Sequence, residues 1–494
     1  MVTRIGMVLK LSVLGVAGML GGCASVGQNF TEPDNSATLA GNYRHAAAAN
    51  VTADVTTATA AAHLPLRWWS VFGDATLNRL EQRALADSPG IKAAAERLLQ
   101  AQAQLGLSHA NDALQVGVGA SAANTRSSAS TSQAHALGGH SISGNQYTLG
   151  ANMSYEVDLW GKMRRINEAA AAQVQVAAFD RDGVMLLLTS QVASTYWQWR
   201  GVSSEMAILQ QSLASRQQSQ QLVESRFGGG IGNELDVSRA RLESANAAAD
   251  LAEVTRQRAT LEHALSLLLG AAPSLNALDT ATGELAVEPP VIPAGLPAQL
   301  LAQRPDLAQS VAQLRALNAQ IGVAESAFYP SLQLTGNFGY ASQDLRDLAQ
   351  GGSRQFSFGP LSLSLPIFDG GRNRSNLELA QSRYREAIQN HQTRVLTALR
   401  EVEDALVDTE QKQKQGQLQA QAREAANRAY AVAFARYEHG VSNYLDVTDA
   451  QRSSLAAERA AVQIRTQRWL AATAVARALG GGWQAPATLV AVGR

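Results

Sequence analysis

The sequence has one cysteine, few aromatic residues and no net charge. A single cysteine excludes an intramolecular disulfide and any metal site built from several cysteines. The 41 lysines and arginines balance 41 aspartates and glutamates, so no global charge favours an anionic partner. Aromatic residues make up 5% of the 494-residue chain, while alanine supplies much of its 46% apolar fraction. Thin side chains of this kind suit long, closely packed helices better than one thick globular core.

No pattern in the chain is typical of a catalytic site. The eight histidines do not cluster with carboxylates at the spacings of metal ligands, and neither a Gly-x-Ser-x-Gly elbow nor a Walker motif occurs. We therefore expect a protein that is not an enzyme and that uses no metal or cofactor. The balanced charge also predicts no nucleic-acid partner.

The N-terminus has the composition of a secretory signal. Arg4 and Lys10 flank a short basic region, and residues 11–20 are apolar but too few to span a bilayer as a helix. A Leu-Gly-Gly-Cys sequence then ends at Cys23, the only cysteine of the chain. It resembles a bacterial lipoprotein box, which implies a signal peptide at 1–22 and acylation of Cys23. The alternative is an ordinary signal peptide with a chance cysteine.

Two similar stretches lie 210 residues apart. Arg226–Arg241 and Arg436–Gln451 share an arginine, an aromatic residue, a glycine, an asparagine and a Leu-Asp-Val sequence at matched positions. A polar-apolar helical pattern precedes and follows each stretch. The spacing therefore predicts an internal duplication in which each copy carries a glycine-bearing turn between two long helices.

Helical and strand periods follow the same order in both halves. Long helices are predicted over 160–227 and 368–437, and shorter ones over 89–111, 233–270, 305–328 and 443–480. Alternating two-faced strands are predicted over 114–120, 147–157, 332–340 and 356–365, with a bulge or bend at Gly359-Pro360. The resulting division is an N-terminal arm 23–66, a first repeat 67–286, a Pro-rich linker 287–299, a second repeat 300–484 and a tail 485–494.

Four two-faced strands of this length suit an outer-membrane barrel, but four strands cannot close alone. If they lie in a membrane, the chain must form oligomers. A dimer would supply eight strands with a filled interior, and a trimer would supply twelve with room for a lumen. The alternative is a soluble sandwich or platform.

From about Arg67 to Trp483 the chain resembles the TolC-like outer-membrane factor family, in particular its lipoprotein branch of the OprM/NodT type. Besides the two turns, the motifs that carry the resemblance are Trp68-Trp69-x-x-Phe72-x-Asp74, Arg304-Pro305-Asp306, Phe328-Tyr329-Pro330, Leu365-Pro366-Ile367-Phe368-Asp369 and Leu479-Gly480-Gly481-Gly482-Trp483. The resemblance implies an α+β membrane protein. Its homotrimer would form a 12-stranded β-barrel in the outer membrane, continuous with a 12-helix periplasmic α-barrel.

The resemblance also implies a periplasmic gate at the second turn. Asp446 and Asp449 match the family's acidic ring, Leu445 its apolar constriction, and Tyr437 its tyrosine link between neighbouring helices. TolC-type members carry an arginine near this turn where this sequence has Ser442, so the resemblance does not extend to an arginine-based latch.

Helix capping offers a second interpretation of the aspartates. Asp236 and Asp446 each follow by three residues an asparagine that could cap the next helix. Capping is the favoured role for Asp236, and both roles stay open for Asp446. Asp449 lies one turn further on, where capping does not need it, and is the better gate candidate.

The function implied is a passive exit duct for small molecules such as drugs, lipid-anchored in the outer membrane and extending into the periplasm. Its implied partners are a periplasmic adaptor and an inner-membrane RND-type transporter. The adaptor would dock at the two turns, through Gly228, Gly229, Gly230, Gly232, Gly440 and Val441. Two alternatives stay open: a lipid-anchored periplasmic coiled-coil scaffold without a pore, and a protein-secretion duct of the same family.

Overall fold

The computed structural model describes residues 26–34, 43–45, 64–132, 135, 138, 140–273, 288–295 and 297–485. The predicted signal peptide 1–22, the predicted acylation site Cys23 and most of the predicted arm lie outside these residues. None of the described helices combines the length and the apolar character needed to cross a membrane.

The longer helices of the described residues are α1 (Ala75–Asp87), α2 (Pro89–Asp112), α3 (Lys162–Gly228), α4 (Glu234–Leu268), α5 (Pro305–Ser326), α6 (Arg372–Glu438) and α7 (Tyr444–Ala478). The long helices α3 and α6 have 67 residues each, and α4 and α7 have 35 each. Both pairs begin and end 210 residues apart, which confirms the predicted duplication. At about 1.5 Å per residue, each long helix is roughly 100 Å along its axis.

The separate helix α1 was not predicted. It ends at Asp87 because Ser88 leaves the helical conformation and Pro89 opens α2. Proline fits the first position of a helix, where its missing N–H would have no partner in any case. The carboxylate of Asp74 caps α1 by accepting the backbone N–H of Leu77 at 2.9 Å.

One antiparallel sheet has the strand order β1 (Gln115–Arg126), β2 (Ser143–Val157), β3 (Ser331–Ser342) and β4 (Arg354–Ser364). The register between β3 and β4 shifts between Leu334 and Gly336, opposite the predicted irregularity at Gly359-Pro360. The predicted bulge is therefore confirmed.

Strands β1 and β2 are longer than predicted. Their outer segments have only small or polar side chains, so hydrophobic alternation does not reveal them. Cross-strand hydrogen bonds hold these segments instead: the Ser121 and Thr148 hydroxyls lie 2.6 Å apart, and the Asn124 amide donates to the Asn145 side-chain oxygen at 2.7 Å. The predicted loop 125–144 is correspondingly shorter.

The chain forms two compact units. One contains residues 98–177 and 310–390 with the sheet, and the other contains 33–97, 178–309 and 391–494. Each unit takes segments from both sequence repeats. The units therefore divide the chain differently from the predicted repeats 67–286 and 300–484.

Aromatic side chains build the core of the second unit. Trp68, Trp69 and Phe72 are buried, and Phe72 packs against Trp197 and Trp469 with ring centroids 5.5 and 5.7 Å apart. The paired tryptophans are thus packing anchors. Burying aromatic rings of this size dominates the energetics of a core.

The first unit holds a short segment of the arm. The backbone N–H of Val26 donates to the Trp160 carbonyl at 2.9 Å, and the Arg165 guanidinium donates to the Gly27 carbonyl at 2.7 Å. Gly27 has φ +90°, and a Cβ there would stand 2.7 Å from the Cα of Gly322. Glycine is therefore required for this segment to dock as it does.

Candidate functional site

The two turns have the same backbone geometry. Gly230 and Gly440 have φ values of +76° and +73°, in the left-handed region that glycine adopts without steric cost. The Ile231 N–H donates to the Arg226 carbonyl at 2.9 Å, and the Val441 N–H donates to the Arg436 carbonyl at the same distance. These bonds close the last turns of α3 and α6 in the manner of a glycine C-cap.

The other predicted docking glycines are not explained by backbone angle. Gly228 and Gly229 lack positive φ values, and a Cβ on Gly228 would meet no atom within 4 Å. Gly232 is more constrained, because its Cβ would lie 3.1 Å from the backbone nitrogen of Phe227. Close packing of the turn accounts for Gly232, and nothing in the structure accounts for Gly228.

An asparagine caps the helix that follows each turn. The side-chain oxygen of Asn233 accepts the Asp236 N–H at 2.8 Å, and that of Asn443 accepts the Asp446 N–H at 3.0 Å. The Asp236 carboxylate is engaged locally, because it accepts the Asn233 amide at 2.9 Å and pairs with Arg239. No such side-chain bond joins Asn443 and Asp446 among the described residues.

The predicted gate residues do not form one cluster. Asp446 and Asp449 are exposed, and Leu445 is 39% exposed, all on the first turns of α7. Tyr437 is instead buried at the end of α6, although its counterpart Phe227 is 44% exposed. The two homologous turns are therefore packed differently.

Tyr437 belongs to an apolar cluster that joins the two repeats. The buried members of this tip cluster are Val223, Val237, Ala240, Tyr437, Tyr444 and Val447. The rings of Tyr437 and Tyr444 lie 5.5 Å apart. Burial raises the pKa of Tyr444 to about 12.

Arg226 fastens the second turn to the first. Its guanidinium lies 4.7 Å from the centroid of the Tyr437 ring and donates to the carbonyls of Tyr437 at 3.1 Å and Glu438 at 3.0 Å. These carbonyls are at the C-terminal end of α6, where a cation also interacts favourably with the helix dipole. We call this set of contacts the Arg226 clamp. The sequence did not predict it, since the partners lie 211 and 212 residues away.

Further from the turns, Glu243 joins three helices. Its side chain is 3% exposed and pairs with Arg216 of α3 at 2.6 Å and with Arg452 of α7. Removing one partner of a buried ion pair costs roughly 3–5 kcal/mol, because the other charge stays buried. The positions 210 residues from Arg216 and Glu243 hold Ala426 and Ser453, so the duplication does not repeat this contact.

The architecture is that of an outer-membrane channel protomer: a duplicated chain with long helices, glycine turns and a four-stranded two-faced sheet. A sequence profile described as outer membrane efflux protein matches residues 80–271 and 296–481. The chain therefore belongs to the outer membrane efflux protein family, which is a family of efflux ducts and not of enzymes. It is located in the outer membrane and extends into the periplasm as the exit duct of a tripartite efflux system.

Individual proteins are similar over most of their lengths. Outer membrane protein OprJ of Pseudomonas aeruginosa is 34% identical over 481 residues, which is 97% of each chain. Cation efflux system protein CusC of Escherichia coli K12 is 30% identical over 84% of this chain and 88% of its own. The solved CmeC outer membrane channel of Campylobacter jejuni superposes with a TM-score of 0.85 at 26% identity, covering 95% of this chain and 98% of its own.

The Arg226 clamp yields a prediction about local stability. Arg226→Met keeps the length of the side chain but removes the charge, the ring contact and both hydrogen bonds. Because such contacts contribute roughly 1–3 kcal/mol together, we expect amide hydrogen exchange at residues 437–441 to become about tenfold faster or more.

Arg239→Met is the matched control, because Arg239 pairs with Asp236 of its own helix at 3.5 Å. Exchange mass spectrometry should show no change at residues 437–441 in that variant. Equal rates in the Arg226 variant and the unaltered protein would contradict the clamp.

Proposed function

We propose that the chain forms a homotrimer whose twelve strands close into one barrel. The observation that carries this proposal is the sheet itself: among the described strands, β1 and β4 each pair with one neighbour and so leave two open edges. Hydrocarbon does not tolerate unpaired backbone groups, so open edges must pair with other copies of the chain. Three copies give twelve strands and a lumen, whereas two give eight and a filled interior.

The two faces of the sheet support this arrangement. Phe338, Phe356 and Leu361 share one face and are 58–83% exposed, as expected for side chains against lipid. The opposite face carries Gln333, Thr335 and other polar residues, which suits a water-filled lumen. A soluble platform would gain nothing from exposing such an apolar row.

The second turn is the proposed periplasmic gate. Asp446, Asp449 and Leu445 are exposed on α7, free to face their copies around a threefold axis. Rings of carboxylates attract cations in other pores, and rings of apolar side chains close them. In this proposal Tyr437 and the Arg226 clamp hold the second helical pair against the first, and opening requires that contact to loosen.

Both turns are the proposed docking sites of a periplasmic adaptor. Ile231 is 84% exposed and Val441 is 65% exposed, so each turn presents an apolar tip beside its glycines. Gly228, Gly229, Gly230, Gly232 and Gly440 would let a partner approach the backbone closely. An inner-membrane transporter of the RND type would supply energy, while the duct is passive and uses neither catalysis nor a cofactor.

Acylation of Cys23 remains part of the proposal. Cys23 lies three residues before Val26, and three extended residues span at most about 10 Å. Because Val26 bonds Trp160 just beyond the end of β2, the anchor would reach the membrane surface where the strands end. We expect the mass of the purified protein to show a diacylglyceryl group and a further acyl chain, and Cys23→Ser to lack them. A purified protein whose mass shows no acyl group on Cys23, or whose chain begins after Cys23, would refute the anchor.

Conductance in planar bilayers tests the duct and its gate. Leu445→Ala should raise single-channel conductance severalfold by widening the apolar constriction, and Asp449→Asn should lower the preference for potassium over chloride. The duplication provides a control, because Leu235→Ala alters the matching leucine of the first turn, which is 58% exposed.

Two results would contradict these assignments separately. If a trimer with both Asp449→Asn and Leu445→Ala gives no channel, the duct fails and the pore-free scaffold is favoured. If Leu235→Ala has the same effect as Leu445→Ala, the constriction does not belong to the second turn alone.

A further inference from the structure

A groove of about 690 Å³ lies within the unit that contains the sheet. It is lined by the first turns of α3, the end of α5, the first turns of α6, and the ends of β3 and β4 nearest these helices. Volumes of this size accommodate small organic ligands. Neither the gate nor the proposed adaptor sites involve these residues.

The register of the sheet gives the side on which the groove opens. Ser331 and Ser364 both line it and pair directly across β3 and β4. Directly paired residues share a face, and so does every second residue along a strand. From Ser331 the same face continues with Gln333, which pairs with Glu156 of β2. The groove therefore lies at the foot of the polar face, the face that the duct proposal turns toward the lumen.

The charged side chains that line the groove are all basic. They are Lys162, Arg372 and Arg383, and no carboxylate is among the described residues that line it. Lys162 is neutralised by Glu156 of the polar face at 2.9 Å. Arg372 and Arg383 are exposed and form no ion pair within the part of the chain that the structure describes. Neither guanidinium is therefore held in place by an ion pair of the described residues.

Asp369 lies three residues before Arg372 and interacts with it electrostatically. The Asp369 carboxylate accepts the backbone N–H groups of Gly371 and Asn373, both at 2.9 Å, and so caps the start of α6. It does not line the groove. Amide and apolar side chains complete the wall, among them Gln320, Asn376, Val323 and Leu379. The groove combines positive charge, hydrogen-bonding groups and an apolar surface.

We propose that this groove is a transient binding site in the lumen for amphiphilic organic anions, molecules that carry a carboxylate or sulfonate on an apolar body. The inference rests on the proposed duct, because it places the polar face in the lumen. Guanidinium groups bind such anions through paired hydrogen bonds, and apolar side chains contact the rest of the molecule. Anionic solutes would then pause between the helical part and the strands.

The test compares two probes of opposite charge on the same apolar body, naphthalene-1-sulfonate and 1-naphthylmethylammonium. Each is added to bilayers that contain the intact protein, and the duration of current interruptions is measured. We expect the sulfonate to block about tenfold longer than the ammonium, since both arginines attract it at short range. Arg372→Gln with Arg383→Gln should remove this difference.

The same helix provides a matched control. Arg374 and Arg385 are exposed on α6 but do not line the groove. Arg374→Gln with Arg385→Gln therefore also removes two positive charges but leaves the lining of the groove unchanged. This control should keep the long sulfonate interruptions. If both double variants lose the long sulfonate interruptions equally, the effect is one of general charge and the site is overturned. If the sulfonate and the ammonium interrupt the current for equal times in the unaltered protein, the site is overturned directly.

Two further outcomes separate this proposal from its premise. In the first, the double variant Arg372→Gln with Arg383→Gln forms a normal channel, and only the stability of the trimer changes. This result would mean that a second copy of the chain covers the groove. That result overturns the anion site and leaves the duct intact. Absence of current in every variant would overturn the duct and the anion site together.

Discussion

The unpaired edges of the sheet constrain the rest of the protein. Within the described residues of one chain, β1 and β4 leave their outer backbone groups without strand partners, and lipid supplies none. In the proposed trimer, neighbouring copies of the chain supply these partners, and the pore is then a property of the oligomer. The apolar face with Phe356 and the polar face with Gln333 follow from the same requirement, since a closed barrel has one side in lipid and one in water.

Duplication gives the chain two copies of each part, and divergence gives the copies different tasks. The 210-residue offset is kept in the bounds of α3 and α6 and in the glycines Gly230 and Gly440. Several side-chain contacts are not kept. Arg226 reaches across to the second turn, whereas Arg436 has no equivalent clamp among the described contacts. A symmetric backbone therefore carries an asymmetric tip, and the proposed gate lies in one copy.

Periodicity predicted most of the fold because long helices and two-faced strands repeat over many residues. It failed where local signals are weak: the short helix α1, which Ser88 separates from α2, was not predicted, and the outer segment of β1 has only small or polar side chains. Within the candidate site, asparagine capping of α7 could be predicted from a local spacing. The Arg226 clamp, the Glu243 ion pairs and the basic groove could not, because each depends on side chains that are distant in sequence and meet only after folding.

Cross-linking between neighbouring chains tests the closed trimer most directly. Val118→Cys on β1 can be combined in turn with Phe356→Cys, Phe358→Cys, Leu361→Cys or Leu363→Cys on β4, all of them exposed positions. At the pair that matches the barrel register, oxidation should link chains into covalent species that end at three copies in denaturing gels. No cross-link at any of the four positions, or products that stop at two copies, would contradict the account.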